Sequence, residues 1–141
     1  MKSIIVRPAQ PDDAIACAQI LTRGWKLAFP GSKRKVTLAM FAAETADETV
    51  LVAERGGKVI GFAALYAPEN FLHHLYVHPR AHRRGAGTAL LRAAQAMASG
   101  PISLKTQRAN TRARAFYNKH GFALIEEGID SNGPWVRLEK V

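Results

Sequence analysis

The chain lacks the features that mark disulfide-linked, membrane-spanning or secreted proteins. Its 141 residues include a single cysteine, Cys17, so no disulfide can form within the chain. A lone cysteine is typical of a protein from a reducing compartment. No apolar run approaches the ~20 residues that cross a bilayer, and the N-terminal run MKSIIVRP becomes charged too soon for a signal peptide. We therefore expect a cytoplasmic protein with no membrane partner.

Acidic residues are also few. Eleven Asp and Glu stand against 20 Lys and Arg, which leaves a formal net charge of +9 and indicates an anionic partner or substrate. The cations of the second half include Arg80, Arg83, Arg84, Arg92, Lys105, Arg108, Arg112, Arg114 and Lys119. A nucleic-acid-binding module is one alternative, but it would interleave exposed aromatic residues with the basic ones. The aromatic residues here fall at positions expected to face a core, so we expect no nucleic-acid partner.

The hydrophobic pattern predicts one α/β domain over residues 1–141. A composition of 48% hydrophobic and 22% charged residues is that of a globular protein. Short β-branched runs separated by turn signals such as Gly56-Gly57 predict antiparallel strands as far as Val77. A strand–helix–strand unit follows, which implies parallel pairing and a right-handed crossover. The whole pattern predicts about seven strands and about four helices around a mixed sheet.

Apolar spacing of three and four residues predicts the buried side of two of these helices. For a helix over residues 36–45, the inward residues are Leu38, Phe41 and Ala42. For a helix over residues 85–98, they are Ala86, Leu90, Ala93 and Met97.

The stretch from Leu75 to Leu91 combines a strand, a basic loop and a helix start. Pro79 stops the apolar strand, a loop with Gly85 and Gly87 follows, and an Ala- and Leu-rich helix begins. Glycines let the backbone approach a ligand, and free N–H groups at a helix N-terminus favour an anion. The stretch lacks the Gly-Lys-Ser/Thr ending of a nucleoside-triphosphate loop and the third glycine of a dinucleotide-binding loop. It therefore predicts a phosphate cradle of another kind.

Two motifs in this order resemble those of the GNAT superfamily of N-acetyltransferases. The run LYVHPRAHRRGAGTALL at 75–91 resembles its acetyl-CoA motif, Arg/Gln-x-x-Gly-x-Gly/Ala. The run NTRARAFYNKHGF at 110–122 resembles its second motif, an Asn, then Phe-Tyr, then Gly-Phe. The order of strands and helices also matches. The resemblance covers nearly the whole chain and implies a GNAT-like fold in which central strands 4 and 5 splay apart.

The resemblance implies acetyl-CoA as the cosubstrate. Main-chain amides from Arg84 to Thr88 would hold its pyrophosphate, and Leu75 to Val77 would pair with its pantetheine arm. The nearby arginines suit the ~−4 charge of two bridging phosphates and a 3′-phosphate. The implied cofactor-binding residues are Leu75, Tyr76, Val77, His82, Arg83, Arg84, Gly85, Ala86, Gly87, Thr88, Asn110 and Tyr117.

One position departs from the family motif. His82 stands where the motif has Arg or Gln. A neutral imidazole is a weaker partner for an anion than arginine, but main-chain N–H groups would supply most of the hydrogen bonds to the pyrophosphate. We expect cosubstrate binding to survive, with a pH dependence near neutrality.

The implied reaction also needs an oxyanion donor and an acid. The tetrahedral intermediate of acetyl transfer needs N–H or O–H donors, and the backbone N–H of Val77 is the expected one. The departing thiolate benefits from an acid, and Tyr117 is expected to supply the proton. The structural alternative for Tyr117 is an aromatic residue on the inner face of a helix.

The general base is less well defined. An amine with a pKa of ~10 must lose a proton before it attacks a thioester. His73 and His74 are the candidates, acting directly or through water, and as neighbours in a strand they are expected to point to opposite faces. Each could instead be a strand histidine with a structural hydrogen bond. Glu69 and Tyr66 are further alternatives, as is a site with no dedicated base.

No metal site is expected. His74, His78 and His82 recur every fourth residue, but Pro79 and the strand pattern before it exclude a shared helix face. No acid or cysteine completes a ligand set with them. Cys17 lies at a core-spaced position, where cysteine usually acts as a small hydrophobic residue rather than as an acyl carrier.

These observations predict an enzyme that moves acetyl from acetyl-CoA to a primary amine by direct attack in a ternary complex. The acceptor would be a small molecule or a protein amine, bound in the groove that the family lines with segments equivalent to residues 25–36 and 127–135. Trp25, Phe29 and Trp135 would form an apolar wall there. Acids that could pair a cationic amine are Glu44, Asp47, Glu126, Glu127 and Asp130. A GNAT domain that binds CoA without catalysis is a further alternative, and we expect a monomer or a homodimer.

Overall fold

The chain folds around one mixed sheet of seven strands. The computed structural model describes residues 3–82 and 84–141. The strands are β1 (Ile4–Pro8), β2 (Thr49–Arg55), β3 (Lys58–Tyr66), β4 (Phe71–Val77), β5 (Ser103–Gln107), β6 (Phe122–Asp130) and β7 (Gly133–Lys140). They lie in the order β1-β2-β3-β4-β5-β7-β6. All neighbours are antiparallel except β4 and β5, which run parallel.

Four α-helices accompany the sheet within the described ranges. They are α1 (Ala14–Ala28), α2 (Leu38–Glu44), α3 (Ala86–Met97) and α4 (Thr111–Lys119), and short 3₁₀ helices cover Pro11–Asp13, Ala67–Glu69 and Pro79–Ala81. Among the residues described, no helix is long and apolar enough to cross a bilayer. The predicted α/β class with seven strands and four helices is confirmed.

Helices cover both faces of the sheet because successive strand residues point to opposite sides. Leu51 packs with Leu90 of α3 on one face. Val52 and Phe62, both 0% exposed, pack with Leu21 of α1 on the other. Fully burying a side chain of this size stabilises the fold by about 1.5–3 kcal/mol. The two layers therefore fix β2, β3 and β4 between α1 and α3.

Cys17 belongs to the α1 layer, as its spacing predicted. It is 0% exposed, and burial raises the pKa of its thiol to about 12. A thiol of this kind is protonated at neutral pH and closed off from solvent. Its position is that of a core residue.

The predicted inward face of α2 is wrong in part. Phe41 is buried and meets the Phe62 ring edge-on, with ring centroids 5.4 Å apart. Leu38 is 51% exposed and Ala42 is also exposed. The helix has seven residues and packs on α1. Because it is so short, only Phe41 reaches the core.

The predicted inward row of α3 is also wrong in part. Leu91 and Ala94 are buried beside Ala86 and Leu90, whereas Ala93 is only partly buried. Met97 is 50% exposed. The helix ends at Met97, and the extended Ala98 leads the chain away from its axis.

β4 and β5 meet briefly and then separate. In the described chain, their register contains one pair, Phe71 opposite Ser103. The Ser103 N–H donates to the Asn70 carbonyl at 3.0 Å. Beyond this point β4 pairs with β3 and β5 pairs with β7. The facing edges of β4 and β5 are left open toward Val77 and Gln107, as expected for splayed strands.

Candidate active site

The N-terminus of α3 presents free main-chain donors beside this gap. Gly85 caps the helix with a left-handed backbone, φ 87°, and no side chain caps it. The first helical hydrogen bond runs from the Ala89 N–H to the Gly85 carbonyl at 3.0 Å. The N–H groups of Ala86, Gly87 and Thr88 therefore have no acceptor within the helix. Together with the helix dipole they fit an anion such as a pyrophosphate.

Two glycines, Gly85 before α3 and Gly87 in its first turn, lie in different surroundings. A Cβ on Gly85 would meet nothing within 4 Å, so the loop borders open space, but its positive φ suits glycine. A Cβ on Gly87 would lie 3.4 Å from the Phe116 ring and 3.8 Å from Val77 Cγ2. These are ordinary van der Waals distances, so Gly87 lies where α3, α4 and β4 meet, but the packing there does not require a glycine.

The end of β4 directs a main-chain donor into the gap. The His78 N–H donates to the Ile60 carbonyl at 2.7 Å and so points toward β3. Because N–H groups alternate in direction along an extended strand, the Val77 N–H points away from β3. A Cβ on Gly61 would come within 2.9 Å of the Tyr76 carbonyl oxygen, so the backbones of β3 and β4 approach closely there.

Tyr117 of α4 lies in the core, close enough to Tyr76 of β4 to interact with it. It is 8% exposed, and its ring packs edge-on against Phe116 and Phe122, with centroids 5.2 and 5.5 Å apart. Burial raises the pKa of its phenol above the usual value, and the neighbouring Tyr76 adds to the shift. The hydroxyl is thus neutral throughout the physiological range. It is able to donate a proton or a hydrogen bond.

Asn110 begins α4. Its side-chain oxygen accepts a hydrogen bond from the Ala113 N–H at 3.1 Å, which makes it the N-cap. Gly121, with φ 85°, follows the helix in the left-handed conformation that commonly ends helices. These two residues hold the helix that carries Tyr117.

His82, just before the α3 N-terminus, contacts both the end of β4 and α4. Its Nε2 lies 2.9 Å from the Val77 carbonyl oxygen, and its Nδ1 contacts the Arg112 guanidinium. Since the guanidinium can only donate, Nδ1 accepts and Nε2–H donates to Val77. Burial lowers the pKa of His82, with Arg112 adding to the shift and the Val77 hydrogen bond opposing it. The ring is therefore held neutral.

His73 and His74 lie on the same side of β4, so the predicted opposite orientation is wrong. β4 has an extra residue, His73, between the pairs Ala64–His74 and Leu65–Leu72. Such a bulge sets two neighbours against one partner and breaks the alternation of the strand. The two imidazole rings are 4.0 Å apart.

Glu48, directly before β2, completes a cluster with these histidines. Its Oε2 lies 2.6 Å from His73 Nδ1. The Glu48 side chain is 8% exposed and that of His73 is 40% exposed. Burial raises the pKa of Glu48, and His73 opposes that shift. Burial lowers the pKa of His74 to about 3, with the nearby His73 and Arg34 adding to the shift.

A groove of about 560 Å³ opens between the end of α1, the β5–α4 loop and the β6–β7 turn. Phe29 lines it and lies 4.6 Å from the Trp25 ring, centroid to centroid. The groove is lined by Leu27, Ala28, Phe29, Pro30, Gln107, Arg108, Ala109, Asn110, Thr111, Arg112, Asn132 and Pro134. None of the acids proposed to pair an amine is in this lining, and Glu44 pairs instead with Arg34 at 2.8 Å. The described lining is basic.

The comparisons with known proteins agree with this geometry. The model of the acetyltransferase (GNAT) family matches residues 15–122. The chain belongs to the GNAT family. It is 30% identical over 131 residues to the uncharacterised N-acetyltransferase YhfO of Bacillus subtilis. The aligned region covers 83% of this chain and 88% of YhfO. The predicted acyltransferase of the N-acetyltransferase class is thereby confirmed.

This GNAT protein is also similar to a second N-acetyltransferase and to a solved structure over nearly the whole chain. A 5-NmdU N-acetyltransferase of the Pseudomonas phage PaMx11 is 28% identical, over 92% of this chain and 94% of its own length. The PaiA N-acetyltransferase of Thermoplasma acidophilum, solved with coenzyme A, has the same fold with a TM-score of 0.78. It is 22% identical, and the match covers 98% of each chain.

The structure brings most of the predicted site residues of this GNAT protein to one place. The end of β4 and the α3 N-terminus border the gap, His82 contacts both β4 and α4, and Tyr117 packs in the core on α4. Arg83 was also predicted to bind the cofactor, but it lies outside the described residues. Arg84 is exposed at the start of the loop. Asn110 uses its side-chain oxygen as a helix cap, and its contact with the cosubstrate stays a prediction.

Glu48 was missed because no local pattern points to it. Its acid-rich surroundings, residues 44–48, read as the end of a helix. The sheet register aligns Thr49 with Leu65 and Leu65 with Leu72, and this brings the start of β2 near the start of β4. Only knowledge of that register could have paired Glu48 with His73.

We expect the replacement His82→Gln to weaken the pH dependence of stability. Because the folded-state pKa of His82 is lowered, the unfolded chain takes up the proton first, and the contribution of neutral His82 is lost as the pH falls below about 6.5. A glutamine amide can donate to Val77 and accept from Arg112 without titrating. The fall in melting temperature between about pH 7.5 and about pH 5.5 should be smaller in the variant.

The control is His82→Ala, which removes both contacts and should melt lower than the parent protein at either pH. An equal fall in the parent and in His82→Gln would show that the neutral ring contributes nothing to stability.

Proposed function

We propose that this protein transfers the acetyl group of acetyl-CoA to a primary amine by direct attack in a ternary complex. The observation that carries the proposal is the open gap between β4 and β5, bordered by the free N–H groups of α3, together with the neutral hydroxyl-bearing ring of Tyr117 on α4. An extended thioester arm can reach the gap from one side and an amine from the other.

The cosubstrate would be held mainly by the main chain. Its pyrophosphate would accept hydrogen bonds from the N–H groups between Arg84 and Thr88, since charge-assisted bonds of this kind are the stronger ones. The pantetheine arm would lie along Leu75, Tyr76 and Val77, whose edge toward β5 is open. Support comes from the coenzyme A complex of a protein with the same fold.

The chemistry would need three groups at the gap. A base removes a proton from the ammonium, the nitrogen then forms a bond to the thioester carbon, and the carbon–sulfur bond breaks. The Val77 N–H, directed away from β3, would stabilise the oxyanion. The Tyr117 hydroxyl would give its proton to the departing thiolate and would regain a proton from the one that the acetylated nitrogen loses as the amide forms.

His73 is the base that we propose. Glu48 Oε2 lies 2.6 Å from His73 Nδ1. The other ring nitrogen, Nε2, would then accept the proton of an amine directly or through water. His74 fits the role less well, because a buried ring with a pKa of about 3 is a weak proton acceptor.

For the acceptor we propose a small molecule with an anionic group near its amine. Arg108 and Arg112 line the groove, and no acid belongs to its described lining. The net charge of +9 favours the same class. One relative is named for acetylating 5-NmdU, and an amine carried on a nucleotide would combine both properties.

The test is amine-dependent release of CoA from acetyl-CoA. The panel should pair each anionic amine, such as an aminomethylated nucleotide, with a neutral or cationic amine of similar size. We expect turnover with at least one amine and a preference for the anionic member of its pair. Tight binding of acetyl-CoA without turnover of any amine would favour the non-catalytic GNAT domain. Salt-dependent DNA binding without affinity for acetyl-CoA would favour the nucleic-acid-binding module.

A further inference from the structure

Glu48, His73 and His74 form a compact group of metal-ligating side chains. One ligand atom of each residue lies within 4.8 Å of those of the other two. The Glu48 side chain is 8% exposed and His74 is 6% exposed, while the His73 side chain is 40% exposed. The group is thus closed by the protein except at His73, which leaves a path for a small ion.

Three buried polar atoms of this group have no hydrogen-bond partner among the described residues. They are Glu48 Oε1, His74 Nδ1 and His74 Nε2. Buried polar groups are nearly always paired, so an unpaired set indicates a missing partner. The Glu48 oxygen can only accept when ionised, and each imidazole offers one lone pair. A cation satisfies such converging lone pairs.

The donor set also indicates which cation would fit. Two imidazole nitrogens and one carboxylate oxygen are ligands of zinc and of its neighbours in the first transition row, whereas magnesium and calcium prefer oxygen alone. The bulge at His73 is what makes the set, because it turns two consecutive histidines to one side. The sequence spacing drew attention to His74, His78 and His82 instead, and that grouping is not the one that the fold assembles.

We propose that Glu48, His73 and His74 bind a divalent transition-metal ion of the zinc class, with an open coordination position on the His73 side. The bound ion takes the lone pairs of His73 and Glu48 that the base would use. Metal binding and acetyl transfer therefore exclude each other at this site. This inhibitory consequence rests on the proposed function, whereas metal binding itself does not.

The first experiment measures binding with the metal alone. The untagged 141-residue chain, stripped with EDTA, is titrated with Co²⁺ and followed by visible absorption, and with Zn²⁺ by calorimetry. We expect one ion per chain, and no response to Mg²⁺. His74→Phe and Glu48→Gln should each weaken binding more than about 100-fold, the upper range for removing a mere outer-shell partner of a metal.

His78→Phe is the matched control, since it removes a histidine near the same strand but outside the group. It should bind the ion as the parent protein does. His74→Phe is expected to fold, because Phe62 and Tyr76 already pack around that ring, with centroids 5.9 Å away. No binding by the parent protein, or equal binding by His74→Phe, would overturn the site.

The second experiment measures acetylated product by mass spectrometry, which avoids the reaction of zinc with free thiol. Stoichiometric Zn²⁺ should stop product formation in the parent protein and EDTA should restore it. His74→Phe should keep its own metal-free rate at the same zinc concentration. Binding without inhibition would contradict His73 as the base and overturn the inhibitory role, while the metal site itself would stand on the first experiment.

Discussion

Replacement of Tyr117 by phenylalanine is expected to lower kcat by at least about 100-fold, the lower range for loss of a positioned acid. The affinity for acetyl-CoA should stay nearly unchanged. The physical reason is that the phenol is buried and neutral, so its proton is available when charge develops on the departing sulfur. The ring packs against Phe116 and Phe122, and phenylalanine keeps these contacts.

The measurement is a steady-state rate with saturating amine, together with a direct titration of acetyl-CoA. The variant should melt close to the parent protein, which separates loss of the hydroxyl from loss of structure. If Tyr117→Phe turned over as fast as the parent protein, Tyr117 would be a core aromatic residue and no more.

The sequence was most informative where local chemistry alone decides the backbone. Pro79 ends an extended run, Gly85 takes a positive φ, and an Ala- and Leu-rich stretch begins a helix, so the order strand, loop, helix could be predicted without tertiary knowledge. The same holds for Gly121 at the end of α4. These elements position the start of α3, where the pyrophosphate is proposed to bind.

Prediction failed where a side chain depends on the pairing of distant strands. Nothing in the run around His73 and His74 signals a bulge, because the extra residue exists only relative to β3. The alternation rule then puts the two rings on opposite faces, while the structure places them 4.0 Å apart. Glu48 joins them for the same reason, through the register of β2 and β3.

The helix faces show a related limit. A three- and four-residue period identifies a buried stripe but not its exact rotation or where it ends. Leu91 and Ala94 are buried where Ala93 and Met97 were predicted. The packing of the helix on the twisted sheet sets that rotation. The apolar pattern of one helix contains no information about this packing.

The replacement Gly85→Val is expected to weaken acetyl-CoA binding by about 100-fold while leaving a folded protein. Gly85 has φ 87°, which a β-branched residue adopts only with strain. Relieving that strain turns the following N–H groups away from the anion. Loss of two charge-assisted hydrogen bonds at the low end of their usual range, about 1.5 kcal/mol each, accounts for the expected factor, since about 2.8 kcal/mol corresponds to 100-fold.

Gly57→Val is the matched control for this change. Gly57 also has a positive φ, 79°, and a Cβ there would also meet nothing within 4 Å, but it lies in the β2–β3 hairpin. Both valines should cost about 1–3 kcal/mol of stability through backbone strain, and only the one at position 85 should affect the cosubstrate. Gly85→Ala, which adds a single methyl group, should give a smaller loss of affinity. Equal acetyl-CoA affinity in Gly85→Val and Gly57→Val would mean that the pyrophosphate is bound elsewhere than at the start of α3.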